Sequence, residues 1–370
     1  MSKNFKSRII FLDLMRALAV LMMVQGHTID TFLADQFRTY DSSAYNVWLT
    51  IRGFTAPIFM FTSGVVFTYL LRLDPKPFFE NPRVQKGITR FLTLVVIGYL
   101  LRFPTPRVFD FSLVTKDQWL TFFAVDALHL IGFGLLFIIS LVYISERFKV
   151  NEYFIFSLGF LFFLLMYPFA DSINWPNFLP LPFAAYMYQG SGSLFPFFPW
   201  ASYVIAGGML GSYLAKNPDV YKSSKFSYRL FALSGIMIIV SVAANQVDEK
   251  ILGGTREFFT DGFSLVFYRI SILLLLNGIM AFLSVRLSNI PELVKNIGKN
   301  TLLIYVVHVI ILYGSAWIPG FGMFYPHTLN IAGSILAAMV LIILMIGMVA
   351  LVEFLKLYRK RKLATAQIYN

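Results

Sequence analysis

Four ionisable side chains interrupt an otherwise apolar run near the start of the chain, RIIFLDLMRALAVLMMVQGHTIDTFL at residues 8–33: Asp13, Arg16, His27 and Asp30. Charged or titratable groups in hydrocarbon are costly unless they face protein, a partner or water. Their presence asks for chemistry or for pairing. Arg16 and His27 are eleven residues apart, which on a helix is about 1100°, roughly 20° past whole turns, and about 16 Å of rise. They share a face. Asp13 precedes Arg16 by three residues and Asp30 follows His27 by three, the spacing at which helical side chains meet. The helix thus carries a cationic station suited to an anion and an imidazole station suited to proton transfer. A plainer reading pairs Asp13 with Arg16 and leaves His27 at the interface, satisfied by a neighbouring helix.

The elements that must position these groups are membrane helices. Of 370 residues, 58% are hydrophobic and only 14% charged, with a mean hydropathy of +0.70, which is not the make-up of a soluble globule. Apolar runs predict an all-α, polytopic membrane bundle of about ten spans: 9–33, 46–71, 87–103, 121–144, 152–170, 195–215, 226–245, 263–285, 298–318 and 330–355. The whole chain, 1–370, reads as one transmembrane domain. Ala17-Leu18-Ala19 imitates a signal-peptide cleavage site, but the apolar run continues far past it. Twenty-two Lys and Arg, among them Lys3, Lys6, Arg8 and the run 359–362, fall on the side of the N-terminus; six, including Arg107 and Arg256, fall on the other. The positive-inside rule then places both termini in the cytoplasm. This distribution accounts for the net charge of +12 without nucleic acid. Zero cysteines exclude disulfides, thiolate nucleophiles and iron–sulfur clusters.

Further candidates lie along the chain. Arg52 and Arg269 fall within spans, and with Arg16 they outnumber Asp13 and Asp126, with Asp30 and Asp261 near the outer edges; a buried excess of guanidinium invites an anionic ligand. His129 stands three residues after Asp126, where the pair either orients an imidazole or knits two helices. His308 falls near mid-membrane, as catalyst or as interhelical hydrogen-bond donor. The histidines form no sequence-near cluster, so no metal site is expected. Gly207 and Gly211 make a small-xxx-small pair that reads as a helix contact. The basic connection from Arg72 to Arg90 suits a phosphate contact, though inside loops are basic for topological reasons alone. The outward loop 171–194, rich in proline and aromatics, either lies on the membrane surface or covers an outward mouth. P-loop, dinucleotide-binding, HExxH and GxSxG patterns are absent from the sequence.

The run Leu12-Asp13-Leu14-Met15-Arg16-Ala17, followed by Gly26-His27, resembles the Arg-x10-His pattern of the transmembrane acyltransferase superfamily, which holds the acyltransferase-3 and heparan-glucosaminide N-acetyltransferase-like proteins. The likeness continues in Ala56-Pro57-Ile58-Phe59 with Ser63-Gly64, in Asp126 to Gly132, in Phe195 to Trp200 with Gly207 and Gly211, and in Ile297 to Asn300 through Tyr305 and His308. It spans nearly the whole chain. The middle segments look closer to the glucosaminide-acetyltransferase branch.

The resemblance implies transfer of an acyl group, in the simplest case acetyl, from cytoplasmic acyl-CoA to a hydroxyl or amine of a sugar, glycan or glycolipid acceptor at the outer face. It implies no permanently bound cofactor. On this reading Lys86, Arg90 and Arg16 hold the CoA phosphates, while His27 serves as general base or nucleophile with Asp30 fixing its tautomer. Arg52, Asp126, His129, Arg269 and His308 are the acceptor-side or secondary candidates. With no Asn-x-Ser/Thr sequon in the sequence, a bacterial inner membrane is the expected location. The alternative is a secondary transporter using the same intramembrane Asp, Arg and His, although no repeated halves or paired broken helices support it.

Overall fold

A computed structural model of the chain describes residues 9–74, 76–252, 262–287 and 289–368. Lys3, Lys6, Arg8, Arg256 and Asp261, used in the readings above, lie outside the described residues. The described residues are mostly helical and contain no strand, only two isolated bridges. Among the described residues, eight helices are long and apolar enough to cross a membrane, or nine if one bent pair counts as a single span. The polytopic helical bundle is therefore as expected, while the count of ten is not reached.

Two expected spans, the sixth and the ninth, explain the difference, and the fourth is counted but starts later than drawn. The fourth, drawn as continuous from 121, is broken: a short helix, Lys116–Phe123, ends before Asp126, which caps a new helix, Ala127–Phe148. Hydropathy sees an unbroken apolar run there, but the Asp126 carboxylate competes for the backbone donors and starts the helix afresh. The ninth is a bent pair, Glu292–Lys299 and Thr301–Tyr313, turned by 72° at Asn300. The sixth, Phe197–Lys216, is a 20-residue helix with one non-helical residue, Phe198. Its glycines, serines and tyrosines dilute its apolar character, and it is not among the eight.

The chain gathers into two compact units, Met1–Thr55 with Arg286–Gly314 and Ile318–Asn370, and Ala56–Val285 with Ser315–Trp317. In the first, the Ile10–Phe32 helix packs on Glu292–Lys299, Thr301–Tyr313 and Ile331–Ile368. Ala17, Val20 and Val24 bury against Ile297, Ile304, Leu312, Leu341, Met345 and Val349. Close approach is enforced at Gly298, where a Cβ would stand 2.3 Å from the Asp13 carbonyl oxygen. Beyond the helix end, the Ala34 N–H donates to the Leu329 carbonyl and the Leu329 N–H to that of Phe32, on either side of the Leu33–Leu329 bridge, fixing the C-terminal end of the helix that carries His27.

In the second unit the expected glycine contact is present. A Cβ on Gly207 would lie 2.0 Å from the Phe61 carbonyl oxygen, one on Gly211 2.3 Å from that of Val65, and one on Gly64 2.0 Å from that of Val204. Lipid offers no hydrophobic drive for helix association, so such backbone contact is what small residues contribute. The Arg72 guanidinium donates to Glu152 at 2.8 Å and also pairs with Glu146, while Lys216 reaches Glu152 at 2.7 Å. Arg72, at the start of the basic connection, is thereby committed to holding helix ends together.

Candidate active site

Arg16, His27, Asp30, Arg52 and His308 all belong to the first unit. Arg16 is half-buried and donates through Nη2 to the Thr301 hydroxyl at 3.0 Å. Thr301 opens the helix beyond the bend at Asn300, so the break in the chain carries this contact to the cationic station. Asp13 is buried one turn away.

At the other station His27 is half-buried, and its Nδ1 lies 3.1 Å from Nε2 of His308. The two rings face each other at 5.2 Å between centroids, and Tyr313 meets His27 edge-on at 5.7 Å. His308 is fully buried and its Nδ1 lies 2.8 Å from the Ile304 carbonyl oxygen. The residue that meets the His27 imidazole is thus His308, 281 positions along the chain, and not Asp30. Asp30 turns instead to Arg52, at 2.6 Å, with Arg38 at 3.7 Å from its other oxygen. The stem of Arg52 lies over Gly26, where a Cβ would stand 3.4 Å from its Cγ. The expectation that Asp30 orients the imidazole is corrected: two arginines pull its carboxylate away, and an ion pair outcompetes a neutral ring for a carboxylate.

The other candidates are in the second unit. Asp126 and His129 form a reciprocal cap on the Ala127–Phe148 helix: Oδ1 of Asp126 accepts from the backbone N–H of Leu128 and His129, and His129 Nδ1 is 2.8 Å from the same oxygen. The imidazole packs over Gly98, where a Cβ would come within 2.5 Å of its Cε1. Nearby, the Tyr99 and Tyr186 hydroxyls are 2.9 Å apart. Burial, and then the Tyr99 hydrogen bond, push the Tyr186 phenol far above its ordinary range, so it stays neutral. Arg269 stacks on Trp200 at 5.3 Å. Lys86 and Arg90 are exposed, one turn apart on the Pro82–Leu101 helix. The buried cationic excess seen in the sequence is accordingly reduced, with Arg52 paired to Asp30 and Arg269 seated on an aromatic face. Among the described residues no three His, Cys, Asp or Glu side chains converge as a metal ion requires.

No curated protein matches the chain. Residues 9–353 match the acyltransferase-3 family, described as an acyltransferase domain, and the match runs through the middle segments that suggested the glucosaminide branch. A transferase is thereby favoured over a transporter. From the Arg16 station at one end to the bent helix carrying His308, the arrangement falls inside that match, and the chain belongs to the acyltransferase-3 family of membrane proteins.

Proposed function

We propose that this membrane acyltransferase takes an acyl group, in the simplest case acetyl, from cytoplasmic acyl-CoA and passes it to a hydroxyl or amine of a sugar or glycan acceptor at the outer face. The observation that carries the reading is the placing of Arg16 and His27 on one face of one membrane-length helix, Ile10–Phe32, with a cation toward one end and an imidazole toward the other. Arg16 serves the CoA phosphates; His27 serves the reacting atoms. An acceptor O–H or N–H gives its proton to the imidazole while its heteroatom attacks the thioester carbonyl. The C–S bond breaks, and the CoA thiolate recovers the proton. In the two-step version the imidazole itself attacks, carries the acyl group, and yields it to the acceptor. Purified protein in detergent, incubated with labelled acetyl-CoA, tests the proposal: wild type transfers or slowly hydrolyses the acyl group and His27→Ala does not. Acid-quenched mass spectrometry separates the two versions, because only the second leaves an acyl-histidine. Wild-type turnover by a well-folded His27→Ala variant would remove His27 from the chemistry.

A further inference from the structure

The contact between His27 and His308 has a direction that the atoms themselves dictate. A carbonyl oxygen only accepts, so the 2.8 Å approach of His308 Nδ1 to the Ile304 oxygen puts a hydrogen on that nitrogen. A neutral imidazole carries one proton, which leaves His308 Nε2 as an acceptor. The 3.1 Å contact to His27 Nδ1 must then be donated by His27, and with its own proton used, His27 keeps a bare lone pair on Nε2. The opposite assignment makes His308 an imidazolium. That would bury a charge at 0% exposure, with no carboxylate within ion-pair reach among the described residues, which burial strongly disfavours.

We infer that His308 is a positioning residue that locks His27 in the Nδ1–H tautomer and so makes Nε2 the reactive nitrogen. The catalytic half of this inference rests on the proposed role of His27; the tautomer does not. The usual device for this task is a carboxylate behind the imidazole. Here the neighbouring carboxylate, Asp30, is held by Arg52, and a neutral imidazole backed by a backbone carbonyl takes its place. When Nε2 accepts a proton, the bond from Nδ1 to His308 becomes charge-assisted and strengthens. The support therefore appears as the reaction proceeds.

The experiment is 15N NMR of 15N-histidine-labelled protein in detergent, with the His27 signals identified by their loss in His27→Ala. Wild type is expected to show His27 with Nδ1 protonated and Nε2 bare. In His308→Ala the ring should revert to the Nε2–H form that free histidine prefers, and kcat should fall about 100-fold with little change in KM for either substrate. His308→Gln, whose amide oxygen can accept from Nδ1, should recover the tautomer and most of the rate. A wild-type His27 with Nε2 protonated overturns the inference, as does an unchanged tautomer or unchanged kcat in His308→Ala. If that variant does not fold, the wild-type spectrum and His308→Gln decide alone. Full turnover by His27→Ala would sink the proposed function while leaving the tautomer result standing.

Discussion

The Arg52 guanidinium holds the Asp30 carboxylate at 2.6 Å, across 22 residues of chain, and so draws Asp30 off the imidazole that stands three residues before it. Both side chains are about a third exposed, which sets the pair's worth near the upper end for solvated ion pairs, about 1 kcal/mol. Asp30→Asn and Arg52→Gln should each lower the melting temperature in detergent modestly, and the double variant should melt no lower than either single one. Additive losses would show that the two residues do not act as a pair.

Arg16 serves the donor in the proposed reaction, so Arg16→Gln should weaken acyl-CoA binding by about 1.5–3 kcal/mol, the worth of a charge-assisted hydrogen bond. That is a rise in Kd of about 10- to 150-fold. His27→Ala should leave donor binding nearly unchanged. Calorimetric titration of each variant with acyl-CoA, beside thermal melting, checks the separation; a stable Arg16→Gln protein with wild-type affinity would end the donor role.

The proposed direction of transfer requires both termini inside. Because the chain has no cysteine of its own, single cysteines at Ser172, Lys250 and Lys222 report cleanly. Impermeant thiol reagents added to sealed cells should label the first two and spare the third. Labelling at Lys222 from outside would reverse the orientation.

At Gly207 a methyl group would stand 2.0 Å from the Phe61 carbonyl oxygen, whereas one at Gly235 meets nothing within 4 Å. Gly207→Ala should therefore force two backbones apart and destabilise by about 1–3 kcal/mol. Gly235→Ala should be neutral or slightly stabilising, since alanine is the better helix former by about 0.5–1 kcal/mol. Melting in detergent distinguishes them, and equal stabilities would refute the close helix contact.

Much of this architecture is legible in the sequence because lipid forces local rules on it. The shared face of Arg16 and His27 follows from helical period alone, and Gly207 with Gly211 announces a contact because only small residues allow backbones to touch. What escapes is partner choice. Asp30 has a histidine three residues before it and an arginine 22 residues after it, and no periodicity tells which will claim it. His308 lies 281 residues from His27, so their meeting is a product of tertiary packing. The break at Asp126 was present as an Asp three residues before His129, but a capping pair ending in histidine reads less clearly than one ending in glutamate. At Asn300 the bend falls at the edge of an apolar run, between the charged helix Glu292–Lys299 and the apolar Thr301–Tyr313, where hydropathy records composition and not direction.

In the proposed reaction, that bend limits how far a substrate must travel. The helix Thr301–Tyr313 has 13 residues, which makes it about 20 Å long, shorter than the roughly 30 Å of hydrocarbon in an ordinary bilayer. At least one of its ends therefore sits below the level of the headgroups, where exposed backbone persists only against protein or in a water-filled recess. His308 is the eighth of those residues, about 10 Å from one end of the helix and about 8 Å from the other. The proposed crossing reaction needs its two substrates to meet at depth without carrying a polar acceptor through the full barrier, and under that proposal the shortened helix brings the meeting plane within reach of a sugar hydroxyl.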